Sequence, residues 1–187
     1  MKKLKLQMQT SIDGFVGGPN GELDWMMWNW DDEIKNYVTE LTDSVDTILL
    51  GRKMTEGFIS HWTNIVKNQR GDPSYPFAKK MVDKPKVVFT KTLNKSPWEN
   101  TKLATGDIVQ EVNQLKNEKG KDIIVYGGAG FVTSLIKNNL IDECYLFVNP
   151  AAIGQGLSIF DGRTNFKLVR SIPFSCGIVL LNYEPAK

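Results

Sequence analysis

Short apolar segments of four to six residues alternate with amphipathic segments along most of the chain, and this alternation constrains the fold more than any other feature. The apolar segments have the length and composition of β-strands. They lie at Thr47–Leu50, Lys86–Thr90, Ile123–Tyr126 and Cys144–Val148. Leu4–Gln9 alternates apolar and polar residues, as a half-buried strand does. Two further segments, Phe166–Ile172 and Gly177–Tyr183, predict a terminal hairpin. Strands that alternate with helices form parallel sheets. The sequence therefore predicts an α/β fold whose mainly parallel sheet has an antiparallel C-terminal hairpin at its edge.

The segments between these strands predict helices. Acids in the first turn and apolar residues at helical spacing mark the first of them. The segment 62–84 is polar and contains two prolines, so we expect it to be mostly loop. The predicted helices are 31–41, 52–60, a short one from Tyr75, one that begins after Asp107, and one that follows the glycines of 127–130.

Composition limits the classes of protein to consider. The 187 residues are enough for one domain, which we expect to span 1–187, and 41% of them are hydrophobic. A net charge of +2 is too small to indicate nucleic-acid binding, and we find no apolar run of the roughly 18 residues that a membrane span needs. Two cysteines and one histidine argue against a disulfide framework and a metal site. We expect a cytoplasmic protein without a metal.

Three predicted strands end in residues suited to binding anions. In open α/β sheets, ligands bind outside the carboxyl ends of the strands. Each segment alone also has an ordinary explanation, as a helix start with solvated cations, a strand exit, or close helix–strand packing. Three of them at one end of the same sheet favour a phosphate-rich ligand. The segments are Gly51-Arg52-Lys53, Thr90-Lys91, and Gly127-Gly128-Ala129-Gly130 followed by Phe131.

The glycine-rich segment 127–130 does not match the common nucleotide-binding motifs. It lacks the G-x-G-x-x-G spacing of the dinucleotide fingerprint, and no acid follows at the end of the next strand to bind a ribose hydroxyl. The chain also has no P-loop. Cations in place of that acid favour a 2′-phosphate, and therefore NADP over NAD.

The order of these motifs resembles that of the dihydrofolate reductase fold. The segments are Leu-Leu-Gly-Arg-Lys at 49–53, Val-Phe-Thr-Lys at 88–91 and Val-Tyr-Gly-Gly-Ala-Gly at 125–130. The chain is most similar to the branch that contains the reductase domain of the bifunctional riboflavin-biosynthesis deaminase-reductase, through Thr10–Phe15 and Pro150–Gly156 as well. The resemblance implies a three-layer fold and an NADPH-dependent reductase.

The resemblance also implies which residues bind the cofactor. Gly51, Arg52 and Lys53 would contact its phosphates, and Met54 stands where folate enzymes usually have a threonine. Thr90 and Lys91 would lie near the adenosine 2′-phosphate. The residues from 127 to 131, Gly127, Gly128, Ala129, Gly130 and Phe131, would surround the pyrophosphate and the nicotinamide side.

Substrate-side residues follow from the same resemblance. A carboxylate near the first long helix, among Asp31, Asp32 and Glu33, would polarise the substrate ring, and Asp32 and Asp13 are the catalytic candidates. Acids at a helix start also have an ordinary explanation, because the helix dipole stabilises negative charge there. A serine and an aspartate after a strand often form turns. The candidates for substrate contact are Ser11, Gly154 and Trp28, although the tryptophan also suits ordinary packing.

The expected substrate is a small heterocycle, either a ribosylaminopyrimidine or a pterin. The chain lacks the histidine and cysteine zinc ligands of a deaminase, so we expect a stand-alone reductase. Relatives imply a homodimer. The glycine-containing segment 14–22 could act as a mobile lid over the site or could be a simple surface connection. Two alternatives stay open, a non-catalytic nucleotide-binding module and, more weakly, nucleic-acid binding through Lys2, Lys3 and Lys5.

Overall fold

The computed structural model describes residues 1–186, so that Lys187, the last residue of the predicted domain, lies outside the described part. Thirteen helices and strands follow one another along these residues. In chain order they are β1 (Leu4–Thr10), α1 (Asp32–Asp43), β2 (Val45–Gly51), α2 (Arg52–Asn68), α3 (Tyr75–Asp83), β3 (Lys86–Phe89), β4 (Thr101–Ala104), α4 (Ile108–Asn117), β5 (Asp122–Val125), α5 (Ala129–Lys137), β6 (Glu143–Val148), β7 (Phe166–Pro173) and β8 (Val179–Pro185).

The strands form one eight-stranded sheet in the order β4-β3-β2-β5-β1-β6-β8-β7. Neighbouring strands from β4 through β6 are parallel. β8 runs antiparallel to β6 and pairs with β7 as the terminal hairpin. The predicted mainly parallel sheet with an antiparallel hairpin at its edge is confirmed.

Helices cover both faces of this sheet, because apolar side chains of the central strands point alternately to either side. On one face, α4 and α5 pack on β1 and β5 through a core that includes Leu6, Val112 and Leu135. On the other face, Ile48 of β2 packs in a core with Met81 of α3, and α1 contributes Ile34 to a neighbouring core. The result is three layers, with helices α1 to α3 on one side of the sheet and α4 and α5 on the other.

The structure corrects two predictions made from the sequence. The segment 62–84 is not mostly loop, because α2 continues to Asn68 and buries Ile65. Trp62 in the same stretch packs with Phe58 and Phe77, an interaction that only the folded chain reveals. The strand β4 was missed since only two of its four residues are apolar and it lies at the edge of the sheet.

No helix among residues 1–186 is both long enough and apolar enough to cross a lipid bilayer.

Candidate functional site

The three predicted strand exits lie side by side at the carboxyl edge of the sheet. β2 has β3 on one side and β5 on the other, and Gly51 pairs with Phe89 in the β2–β3 register. Gly51 also contacts the start of α5, since a Cβ on Gly128 would stand 3.5 Å from the Cα of Gly51. The fold therefore brings together the Gly51 and Gly128 segments, which the chain separates by more than seventy positions.

Two helices begin at this contact, and neither has a capping side chain. α2 starts after Gly51 and α5 after Gly128, and no side chain within residues 1–186 bonds to the amides of either first turn. By contrast, Asp31 caps α1 and Asp107 caps α4 through hydrogen bonds to first-turn amides. Free N–H groups and the positive end of the helix dipole attract anions. Two such helix starts converge here.

Glycine is required at this turn for its backbone conformation. Gly127 has φ +148° and Gly128 has φ +87°, both in the region that residues with side chains rarely adopt. A Cβ on Gly127 would also lie 3.2 Å from the sulfur of Met54. The bare backbone lets this turn pack closely against Met54 and Gly51.

Phe131 completes the junction between the strand exits. Its ring lies 4.8 Å from that of Phe89, centroid to centroid. A Cβ on Gly51 would stand only 2.8 Å from the Cβ of Phe131. Phe131 thus ties β2, β3 and α5 together, while Ala129 and Gly130 form the first turn of α5.

Arg52 has an unused hydrogen-bond donor at the start of α2. Its guanidinium lies 5.8 Å from the centre of the Trp98 ring, within cation–π range. Its Nε is buried and has no hydrogen-bond partner among residues 1–186. Lys53 is exposed, and Thr55, one position after Met54, donates its hydroxyl to the carbonyl of Gly51. Arg52 is therefore the side chain of this segment most suited to bind an anion.

A cavity of about 600 Å³ opens at the exits of β3 and β4. Lys91 lines it from one side, and residues 105–107 line it from the other. The neighbouring Thr90 is buried, and its hydroxyl accepts the N–H groups of Thr92 and Leu93, so it shapes the turn. Sequence reasoning missed residues 105–107 because it missed β4; the N-cap Asp107 was the available signal.

Ser11 and Asp13 join the loop after β1 to the loop after β6. The Ser11 hydroxyl donates to Asp13 Oδ1 at 2.6 Å, and Asp13 Oδ2 accepts the N–H of Gly154 at 2.7 Å and that of Ile153. The hydrogen bond from Ser11 is the largest of the contacts that lower the pKa of the Asp13 carboxyl. Asp13 is therefore a carboxylate at neutral pH, with its oxygens engaged by the two loops.

The segment after Asp13 is attached to the rest of the fold. Val16 donates its N–H to the carbonyl of Leu157, and Leu157 donates back to Gly17, both at 2.8 Å. A tight turn follows, in which Gly18 bonds to Glu22. Because residues 16 and 17 are paired with Leu157, any lid movement would be confined to the part of the segment beyond them.

The acids at the start of α1 face different environments. Asp31 accepts hydrogen bonds from Ile34 N and from the Ser175 hydroxyl, and these hold its pKa at about 2. The side chain of Asp32 is 94% exposed and lies 3.5 Å from Lys35. Trp28 is 65% exposed and stacks on Trp30. Neither Asp31 nor Asp32 lines the cavity at the β3 and β4 exits.

A smaller cavity of about 350 Å³ lies on the α5 face of the sheet, next to the loop after β1. Its wall is mainly apolar and comes from β1 and the loop after it, from β6 and β8, and from the start of β7 with the segment before it. The lining residues are Thr10, Ser11, Ile12, Gly14, Cys144, Leu146, Val148, Phe160, Phe166, Leu181 and Tyr183. Ser11 thus borders this cavity as well as the Asp13 turn.

The N-terminal lysines are engaged in ion pairs at the opposite edge of the sheet. Lys2 pairs with Asp46 at 2.9 Å, and Lys5 pairs with Asp122 at 2.9 Å. Lys3 pairs with Glu143. These acids neutralise the cluster, which weakens the hypothesis that it binds nucleic acid.

Comparison with known proteins decides the family. The RibD C-terminal domain family matches residues 2–180, nearly the whole chain. The chain belongs to the RibD C-terminal domain family. The uncharacterized protein YyaP of Bacillus subtilis (strain 168) is 35% identical over 187 residues, which cover 98% of this chain and 95% of that protein.

Solved structures related to the RibD C-terminal domain share the fold at lower identity. A putative riboflavin biosynthesis protein from Shewanella sp. PV-4 has a TM-score of 0.74 at 22% identity and covers 99% of both chains. A diaminohydroxyphosphoribosylaminopyrimidine deaminase/5-amino-6-(5-phosphoribosylamino)uracil reductase from Thermotoga maritima has a TM-score of 0.70 at 18% identity. The match covers 99% of this chain and 57% of that protein. These likenesses confirm the three-layer dihydrofolate reductase-like fold.

Proposed function

We propose that this protein is an NADPH-dependent reductase of a small heterocyclic substrate. The observation that carries the proposal is the contact between Gly51 and Gly128, which joins two helix starts that lack capping side chains. Free amides from two helices suit a pyrophosphate better than a single phosphate, because each phosphate can meet one helix start. Membership of the RibD C-terminal domain family supports the same function.

The residues present fit NADPH on structural grounds. The unpaired, buried Nε of Arg52 is a donor in need of an acceptor, and a phosphate oxygen would supply one. Lys53 extends from the same helix start into solvent. Lys91 at the larger cavity would bind the 2′-phosphate, with Thr90 shaping the turn that presents it. The segment of Gly127, Gly128, Ala129, Gly130 and Phe131 would bind the pyrophosphate through its backbone.

The bound cofactor would supply the hydride, and the chain supplies binding, orientation and exclusion of water. Asp13 is a carboxylate that holds the loop after β1 against Gly154. We therefore propose that it positions these loops, with Ser11, and does not deliver a proton. Asp32 is exposed and would reach a substrate only at the rim, where Trp28 offers a flat surface for stacking.

For the substrate we propose a ribosylaminopyrimidine or a pterin-like ring. The Thermotoga maritima relative is described as a 5-amino-6-(5-phosphoribosylamino)uracil reductase, and the shared fold makes a related ring reasonable here. We also propose a homodimer, which sedimentation velocity would test.

The test combines binding with turnover. NADPH is titrated against the fluorescence of the five tryptophans, one of which, Trp98, lies over Arg52. Oxidation of NADPH is then followed with a panel of pyrimidines, pterins and quinones. We expect quenching by NADPH and oxidation with at least one heterocycle. An absence of binding at high micromolar NADPH would refute the proposal.

A non-catalytic nucleotide-binding module is the second candidate. The observation in its favour concerns the two acids proposed as catalytic. The Asp13 carboxylate accepts hydrogen bonds from loop amides, and the Asp32 side chain is exposed to solvent. NADPH binding without oxidation by any member of the panel would favour this candidate over the reductase.

A further inference from the structure

The side-chain amide of Gln9, near the carboxyl end of β1, has a fixed orientation. Asn149 sets it, because Asn149 Oδ1 accepts the N–H of Met27 at 2.9 Å. The Nδ2 of Asn149 therefore faces the other way and donates to Gln9 Oε1 at 2.8 Å and to the carbonyl of Phe147. The oxygen of Gln9 is thus engaged, and its Nε2 points away as a donor.

This donor is unused within the described chain. Gln9 Nε2 is buried and has no hydrogen-bond partner among residues 1–186. The same is true of Gln7 Oε1, and Gln7 is only 8% exposed. Native proteins rarely leave buried amide groups unpaired, so each such group requires an explanation. A ligand that supplies an acceptor and a donor explains both.

The two amides lie on one face of β1, since residues two apart on a strand point the same way. In the β1–β6 register, Gln7 pairs with Tyr145 and Gln9 with Phe147. Phe147 packs in the core beneath α1, which places both glutamines on the α1 face of the sheet. They are separated from the apolar cavity of about 350 Å³, which opens on the α5 face.

The glutamines lie on the strand next to the one that ends at the glycine turn, which we propose binds the cofactor. β1 lies between β5, which ends at that turn, and β6, which leads to Asn149. A ring bound at Gln7 and Gln9 would therefore lie one strand away from the strand that leads into the Gly127 turn.

We propose that Gln9 and Gln7 bind the lactam edge of the substrate ring, where a ring carbonyl adjoins a ring N–H. Gln9 Nε2 donates to the carbonyl, and Gln7 Oε1 accepts from the N–H. This inference rests on the proposed reductase function and defines its substrate as a ring with a carbonyl at that edge. An aminopyrimidine edge, with an amino group beside a bare ring nitrogen, has the opposite polarity. Gln9 disfavours it because Asn149 prevents the Gln9 amide from turning.

Two probes of similar shape and opposite edge polarity test the proposal. They are 5,6-diaminouracil, which has lactam edges, and 2,4,5,6-tetraaminopyrimidine, in which amino groups replace both carbonyls. Each is titrated by calorimetry into the protein with and without saturating NADP⁺. The wild type is expected to bind the uracil more tightly, by roughly tenfold per matched hydrogen bond.

Substitutions at Gln9 separate the donor from the shape of the side chain. Gln9→Met keeps the length and removes the donor, so affinity for the uracil should fall roughly tenfold. Gln9→Glu can still accept from Asn149 but presents an acceptor at the second oxygen, so the preference should shift toward the tetraaminopyrimidine. Gln110→Met and Gln110→Glu, at an exposed position in α4, are the matched controls and should change neither affinity.

NADPH affinity in every variant distinguishes failure of this inference from failure of the proposed function. If the wild type does not bind NADPH, the reductase proposal fails, whatever the probes do. If NADPH binds normally and neither Gln9 variant changes the ratio of the two probe affinities, the role of Gln9 is wrong. A wild type without preference for the uracil overturns it too. Should Gln9→Glu fail to fold by circular dichroism, the neutral Gln9→Met variant decides alone.

Discussion

Gly51 and Gly128 contact each other at the carboxyl edge of the sheet, with the Cα of Gly51 3.5 Å from the position of a Cβ on Gly128. Each glycine precedes a helix whose first-turn amides have no capping side chain. In the proposed cofactor site, a side chain at either position would crowd this junction, since a Cβ on Gly51 would meet Phe131 and a Cβ on Gly128 would meet Gly51. The two glycines also differ in backbone conformation, and this difference lets their contributions be measured separately.

Gly51→Ala should weaken NADPH binding by disturbing the junction with α5. Gly51 has φ −75°, so alanine causes no backbone strain, but its Cβ would stand 2.8 Å from the Cβ of Phe131. Something must shift at the start of α5. Fluorescence titration measures the affinity and thermal unfolding the stability.

Gly57→Ala is the matched control, since it lies in the same helix with no atom within 4 Å of the new Cβ. It should raise the free energy of unfolding by about 0.5–1 kcal/mol, because alanine favours a helix interior over glycine. Equal NADPH affinity in the two variants would contradict a role for the Gly51–Phe131 contact.

Gly128→Ala should destabilise the turn itself. At φ +87° an L-residue costs about 1–2 kcal/mol relative to glycine, and the added methyl group blocks the backbone from the ligand. Gly162→Ala, at φ +105° with no atom within 4 Å of the new Cβ, should cost similar stability and leave NADPH binding nearly unchanged. Chemical denaturation and NADPH titration of the pair measure both effects, and equal NADPH affinity in the two variants would contradict a role for Gly128 in binding.

Arg52→Ala should reduce NADPH affinity by about tenfold or more, the value of a charge-assisted hydrogen bond to phosphate. Stability should change by about 1 kcal/mol or less, because the buried Nε makes no hydrogen bond among residues 1–186 and the contact with the Trp98 ring is of the cation–π type. Lys53→Ala, next in sequence and exposed, is the comparison and should have the smaller effect. The assignment of Arg52 is wrong if NADPH binds this variant as it binds the wild type.

Lys91→Ala should weaken NADPH binding more than NADH binding, because only NADPH carries the 2′-phosphate. Lys91 lines the cavity of about 600 Å³ at the β3 and β4 exits, so it is placed to contact one end of the cofactor. Lys95→Ala removes an exposed lysine four positions later and should change both affinities little. Parallel titrations with the two dinucleotides provide the measurement, and equal losses for both would exclude a 2′-phosphate role for Lys91.

Asp31 should contribute to stability in a pH-dependent way. Hydrogen bonds from Ile34 N and Ser175 lower its pKa from 3.8 to about 2 in the folded protein. Its contribution is therefore complete above about pH 4 and is lost as the pH falls toward 2. Asp31→Asn should remove this part of the pH dependence, whereas Asp32→Asn, at a side chain that is 94% exposed, should retain it.

Thermal unfolding of the three proteins between pH 2 and pH 5 gives the comparison. The difference in unfolding temperature between the wild type and Asp31→Asn should shrink as the pH falls. A constant difference over this range would mean that the carboxylate is not stabilised by these hydrogen bonds.

Local pattern was enough to determine the order of elements and the glycine-containing strand exits. Leu4–Gln9, with alternating apolar and polar residues, and Cys144–Val148, a mainly apolar segment, form strands that their own residue patterns predict. Asp107 and the acids of 31–33 marked helix starts for the same local reason. The family resemblance, carried by short motifs in order, added the fold and the proposed cofactor residues.

Tertiary structure decided which of these residues meet and which polar groups are already engaged. The edge strand β4 forms because β3 offers a partner, although only two of its own four residues are apolar, and the cavity beside Lys91 depends on it. The sequence makes Asp13 a catalytic candidate, and only the folded chain shows that the loop after β6 supplies amides that bind its carboxylate. Gln9 gave no sequence signal, because its orientation comes from Asn149, 140 positions away. Long-range hydrogen bonds fix the chemistry of a side chain, and local sequence does not contain them.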